Sequence, residues 1–193
     1  MTFTSAITKE DMSKLPREEF RGRIVVANTR ESVDKAVSYL SSFSEIGFDT
    51  ETRPNFTKDS HHKTALVQLS CNDACFLIRL NKFRKMPWSL KSILANKQIK
   101  KIGLALHDDL QGLYKLAKLS PENFIDLQQY VSQFGIEDMS LQKIYAILFG
   151  KKISKGKQRS NWEAEALTEP QLKYAALDAW ACLRIYQFLE QSK

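Results

Sequence analysis

An α/β domain built on a mixed β-sheet is what this sequence predicts, and three observations carry that expectation. At 193 residues the chain is long enough for one substantial core and short for two enzymatic domains. Its 43% hydrophobic and 26% charged residues, with 7 Gly and 5 Pro, belong to an ordinary folded protein and not to a disordered or fibrous one. Apolar periodicity then changes along the chain: strand-like segments first follow one another as a hairpin and afterwards alternate with helices.

Residues 1–22 read as an amino-terminal extension with one short helix, opened by the capping box Thr8-Lys9-Glu10-Asp11 and stopped by Pro16. The domain proper is expected over residues 23–193. It starts with a strand at residues 23–27, followed by a helix on which Val33, Ala36, Val37, Leu40 and Phe43 share a face. Residues 46–51, 65–71 and 74–79 read as strands, with Asn72-Asp73 as a two-residue hairpin loop. A helix around residues 88–94 precedes a strand at 99–106 and a helix carrying Leu106, Leu110, Leu113 and Ala117. A short strand at 123–127 follows, then a helix capped by Ser140 and ended by Gly150. The last helix opens on the capping box Thr168-Glu169-Pro170-Gln171 and runs to about Leu189.

Function classes narrow from composition. Apolar stretches are interrupted far short of the roughly 20 residues that cross a bilayer, and the start lacks the apolar middle of a secretory peptide, so an intracellular, cytoplasmic protein is expected. The three cysteines, Cys71, Cys75 and Cys182, form no C-x-x-C pair, which argues for reduced thiols and against a zinc ribbon. Net charge is +7, and Lys151, Lys152, Lys155, Lys157 and Arg159 cluster with no acid among them. Such a cluster favours a polyanion, although charge runs are commonly just solvated surface.

Three acidic positions stand out. In Ile46-Gly47-Phe48-Asp49-Thr50-Glu51, alternation puts Asp49 and Glu51 on one face, roughly 6.6 Å apart along the strand. Taken alone, D-x-E is more often a solvated strand end than a site. His107-Asp108-Asp109 sits at a strand-to-helix junction, where the helix dipole alone would favour an acid. On the last helix, Tyr174 and Asp178 lie four apart on the side opposite the stripe of Leu172, Ala176, Ala179, Leu183 and Tyr186. Because Asp178 is flanked by Ala175 to Cys182, that helix is apolar nearly all round, and a carboxylate there is costly unless paired or bound to a cation.

In this order the chain resembles the DEDDy group of 3′-to-5′ exonucleases, represented by ribonuclease D and the exonuclease domain of the Werner syndrome protein. Three segments carry the resemblance: Phe48-Asp49-Thr50-Glu51; Ile102-Gly103 through His107-Asp108-Asp109-Leu110; and Leu167-Thr168-Glu169-Pro170-Gln171 through Tyr174-Ala175-Ala176-Leu177-Asp178-Ala179. The segments Ala65-Leu66-Val67-Gln68-Leu69 and Ser160-Asn161-Trp162 also look like the family. The resemblance implies a ribonuclease H-like fold, with a central mixed sheet flanked by helices on both faces. It further implies that Asp49, Glu51, Asp109 and Asp178 are metal-site acids and that Tyr174 is the residue behind the group's final letter. Asp109 is preferred to Asp108 because it falls in the family's register after Ile102-Gly103.

The residue types suit that chemistry. Crowded carboxylates need neutralising cations, and an all-oxygen set suits Mg²⁺ or Mn²⁺. Two such ions, roughly 3.5 to 4 Å apart, serve an in-line displacement at phosphorus. The expectation is one ion on Asp49, Glu51 and Asp178 and a second near Asp49 and Asp109, with Tyr174 orienting the attacking water and a nucleoside 5′-monophosphate released. The partner is a single-stranded or 3′-end-accessible nucleic acid, guided by the five clustered cations. In relatives a large apolar residue often follows the second acid; Thr52 stands there, and Phe56 and Leu113 read first as core or loop packing and only second as substitutes. His61-His62 is assigned no role. Two other readings are weighed: an inactive nucleic-acid-binding module of the same fold, which should lack an acid, and a metal-free hydrolase using Asp49 and Glu51 alone.

Overall fold

The computed structural model describes residues 3–55 and 62–193. Phe56 and His61 lie outside the described residues. Helix α1 spans Lys9–Lys14, where the Thr8 hydroxyl oxygen accepts from the Asp11 N–H. Strand β1 (Arg23–Ala27) leads to α2 (Arg30–Leu40), whose capping box pairs Thr29 with Ser32. Three strands follow, β2 (Glu45–Thr52), β3 (Thr64–Ser70) and β4 (Ala74–Arg79). The β3–β4 hairpin closes around Asn72-Asp73, with the Cys71 N–H donating to the Ala74 oxygen at 2.9 Å. After a 3₁₀ turn at Leu80–Lys82 come α3 (Trp88–Leu94), β5 (Lys100–Gly103), α4 (His107–Ala117) and β6 (Phe124–Asp126). The chain ends with α5 (Leu127–Ser132), α6 (Leu141–Phe149) and α7 (Glu169–Gln191).

The six strands form one sheet in the order β1-β4-β3-β2-β5-β6. Neighbours β1–β4, β2–β5 and β5–β6 are parallel, while β2–β3 and β3–β4 are antiparallel, so the mixed sheet stands as expected. One face packs α5, α6 and α7 over Leu66, Leu77 and Ile102. The other packs α2, α3 and α4 over Ile46, Phe48 and Val67.

Two expectations need correction. The strand read at residues 99–106 stops at Gly103, because Ala105 adopts φ +55 and the Ala105 and Leu106 N–H groups donate to the Asp126 carboxylate at 3.0 and 2.9 Å. That bend turns the chain abruptly into α4. Helix α5 was not anticipated; Asp126 caps it through the Gln128 N–H, a signal hidden at the end of a short strand.

Helix α7 is placed by contact with the sheet. A Cβ at Gly47 would meet the Ala179 carbonyl oxygen at 1.9 Å, so only glycine lets the helix backbone lie this close to β2. Residue 178 is thereby carried to the side of residue 49. The three cysteines are buried and unpaired. No helix among the described residues is long and apolar enough to cross a membrane.

Candidate active site

Four acids and one tyrosine from three separate elements line a single cavity of about 430 Å³ at the end of the sheet. Strand alternation delivers Asp49 and Glu51, the helix start after the Ala105 bend delivers Asp109, and the close approach of α7 delivers Tyr174 and Asp178. One oxygen from each of Asp49, Glu51 and Asp178 lies within 4.8 Å of the others. Asp109 lines the same cavity but stands outside that tight trio. It approaches β2 from the α4 side, where the Thr50 hydroxyl donates to its Oδ1. Asp108, the discarded neighbour, also reaches the cavity wall but is exposed.

Removing these groups from water without a counter-charge makes them reluctant acids. Burial, then the Asp178 and Asp109 charges, holds the Asp49 carboxyl well above the usual carboxylate range. Burial first, and Asp49 next, pushes Glu51 up to about 10. Burial raises Asp178 to about 7, against the opposing pull of Tyr174 and then Lys155. Asp109 is pushed up to about 6 by burial, against the Thr50 hydroxyl. The Tyr174 phenol is raised too, by burial and then by Asp178, which keeps it protonated at neutral pH.

This donor set fits divalent cations. Its donors are carboxylate oxygens, the ligand type hard ions such as Mg²⁺ and Mn²⁺ prefer. Asp178, only 5% exposed, has a buried Oδ1 with no hydrogen-bond partner among the described residues. Gln68, directly opposite Asp49 in the β2–β3 register, is fully buried with both amide atoms unpartnered. Orphaned polar atoms cost about 1 to 3 kcal/mol each, so their concentration beside the acids is that of a site completed from outside the chain.

The five clustered cations divide. Lys155 lines the acid cavity together with Gln158, and Lys157 lines an adjoining cavity of about 330 Å³ that shares Tyr174. Lys151 pairs with Glu18 at 3.0 Å, and the Lys152 ammonium donates to the Ser13 carbonyl. Arg159 is exposed. Leu113 is fully buried in the core and is no wedge for a terminal base, and Thr52 is exposed. His62 lies 3.3 Å from Glu163.

Several supporting residues carried little signal in the sequence. Thr50 looked like a spacer between two acids, yet its outward hydroxyl holds the third. Arg79, at 3% exposure, donates to the Ala164 carbonyl at 2.5 Å and so pins the segment leading into α7. Trp162 is fully buried with its ring centroid 6.2 Å from that of Tyr174, fixing the phenol from behind. Gln68 did have a readable signal, a lone amide in an otherwise apolar strand.

The family model for 3′-5′ exonuclease matches residues 24–192. The chain is 33% identical over 184 residues to the mouse (Mus musculus) bifunctional 3′-5′ exonuclease/ATP-dependent helicase WRN, covering 91% of this chain and 13% of that protein. To an Arabidopsis thaliana 3′-5′ exonuclease it is 29% identical over 191 residues, covering 91% of this chain and 66% of the other. It therefore spans less than two thirds of the length of these relatives. Among solved structures, the Aedes aegypti Nibbler EXO domain superposes with a TM-score of 0.80 at 24% identity, covering 90% of this chain and 91% of that one. Escherichia coli RNase D gives 0.77 at 24% identity, covering 88% and 46%. The fold is the ribonuclease H-like one expected, and the chain belongs to the 3′-5′ exonuclease family of the DEDD type.

Proposed function

We propose that residues 23–193 form a metal-dependent exonuclease domain that removes nucleotides from the 3′ end of a nucleic acid and releases nucleoside 5′-monophosphates, with residues 1–22 as its extension. The observation that carries this reading is the meeting of Asp49, Glu51, Asp109, Asp178 and Tyr174 around one cavity. Asp49, Glu51 and Asp178 would hold one divalent cation, Mg²⁺ or Mn²⁺, and Asp49 with Asp109 a second. Bound there, two such ions would supply neutralising charge for the acids, a lowered water pKa and stabilisation of the departing 3′ oxygen.

The chain's own groups do the rest. Tyr174, protonated and backed by Trp162, offers its hydroxyl to position the attacking water; a phenol whose pKa lies above its ordinary value is no general base at neutral pH. Thr50 fixes the Asp109 carboxylate so that it does not swing into solvent. Lys155, on the cavity wall, brings an ammonium to the phosphate. Family membership supports the reaction class. Nucleic acid as the substrate is supported by neighbours solved with bound strands, Trypanosoma brucei RNase D with RNA U12 and Brucella melitensis NrnC with pGG. An intracellular setting belongs to the same proposal.

The test uses single-stranded DNA and RNA labelled at the 5′ end, incubated with Mg²⁺, with Mn²⁺ or with chelator. A ladder shortening from the 3′ end, dependent on metal and absent from Asp49→Ala, is expected. Cleavage that survives chelation would favour the metal-free hydrolase, and an intact strand under every condition would leave the inactive binding module.

A further inference from the structure

The acid cavity does not end at the acids. It shares Thr50, Asp108 and Asp109 with a second cavity of about 280 Å³, and that cavity shares Lys63, Thr64 and Leu116 with a third of about 350 Å³. Adjoining through these shared walls, the three cavities line up as a segmented groove that runs from the acids between β3 and α4 to the loop that follows the 3₁₀ turn.

Charge along this groove reverses. The inner end is acidic, the second cavity carries Lys115 and Lys63, and the third carries Arg84 and Lys85, all four exposed. None of the four forms an ion pair with an acid among the described residues; Lys115 bonds to the neutral Gln111 side chain at 3.0 Å. The acid of the outer cavity, Glu163, is already engaged by Arg53 at 3.4 Å and His62 at 3.3 Å. Half-buried Phe83 and Met86 supply an apolar wall between the outer cations. Alternating cations and a ring face are what a single-stranded polynucleotide requires: charge for the phosphates and a stacking surface for the bases. A protein partner would need no connection to the acids, whereas a strand that ends at them must leave by some route.

We propose that the single strand whose 3′ end reaches the acids lies in this groove, with Lys115 and Lys63 on the inner phosphates and Arg84 and Lys85 on those further back, beside Phe83. The proposal rests on the exonuclease reading and gives its substrate a path. It also moves the strand away from the basic loop named by sequence, where Lys151 and Lys152 are committed to the amino-terminal segment and the cavity near Lys157 includes Glu18 and Glu19.

Binding of a 5′-labelled strand of about twelve nucleotides, followed by fluorescence anisotropy in chelator over a range of salt, tests this without cleavage. The combined variant Lys115→Glu, Arg84→Glu, Lys85→Glu should bind roughly a hundredfold more weakly, with a salt slope smaller by about 2, at about 0.7 per lost phosphate contact. The matching reversal Arg30→Glu, Lys35→Glu, Lys97→Glu, at positions lining none of these cavities, should stay within about threefold of the unmodified chain. Equal losses in both variants would reduce the effect to net charge and overturn the groove. So would an unchanged groove variant beside a large loss from Lys151→Glu, Lys152→Glu, Lys157→Glu. A chain that binds through the groove yet never shortens a strand in Mg²⁺ or Mn²⁺ would instead sink the exonuclease reading and leave the binding surface standing.

Discussion

Helices α2 and α7 are the same kind of element used to opposite ends. In α2 a single stripe, Val33, Ala36 and Leu40, is buried, and the outer side carries ordinary surface pairs such as Glu31–Lys35 at 2.7 Å. In α7 nearly every side from Tyr174 to Leu183 is buried, and an acid sits in the middle. The first helix stabilises the fold by covering apolar sheet. The second surrenders part of that gain to keep Asp178 in a dry place beside two other acids, a cost that an external cation would relieve.

Experiments that break this contrast start with its largest effect. Asp178→Asn should abolish strand shortening while raising the metal-free melting temperature, because a charge without a partner leaves the interior; turnover assays and thermal denaturation in chelator check both halves. A fall in melting temperature would show that the acid is a structural element after all.

Gly47→Ala comes next. The new methyl collides with the Ala179 carbonyl, a clash with backbone that no side-chain rotation relieves, and about 3 kcal/mol of stability should be lost. Denaturant unfolding measures it. The corresponding insertion of a methyl at exposed Ser41, just past α2, should cost far less.

A smaller effect is expected from pH. In chelator, the carboxyls of Asp109 and Asp178 titrate at about 6 and about 7 in the folded chain, raised above their ordinary values, so the folded state holds protons that the unfolded state has released. Stability should therefore fall as pH rises from roughly 4 to 7, and Glu51, pushed up to about 10, extends the fall into the alkaline range. Saturating Mg²⁺ should reverse the trend at neutral pH. Melting curves at both ends of the window, with and without the ion, sharpen the comparison, since α2 contributes no buried acid to it. Smallest of all, Glu31→Gln removes a fully solvated pair and should leave melting temperature and turnover unchanged.

Much of this architecture could be read from residues alone. Alternation marked β2, apolar strand-like runs on either side of Asn72-Asp73 marked β3 and β4, and the capping box at Thr168 marked where α7 begins. The acids were legible because they violate pattern: Asp178 interrupts an apolar helix, and Asp49 and Glu51 share one strand face. What escaped depends on contacts distant in sequence. The bend at Ala105 needs Asp126, 21 residues on, to take its N–H groups, and the hold on Asp109 comes from Thr50, 59 residues earlier. Local periodicity carries no record of either pairing. Likewise the basic loop looked like one charged unit in sequence, yet Lys151 and Lys155, four residues apart, face different neighbours.

One attachment has a mechanical consequence. Glu18 receives both the Tyr145 hydroxyl at 2.8 Å and the Lys151 ammonium, while main-chain bonds of 2.9 Å join Pro16 and Glu18 to Lys152. The leader segment is thus stitched to the root of the very rim that bears Lys155. Loss of the Glu18 carboxylate should therefore loosen that rim from a position outside the acid cavity.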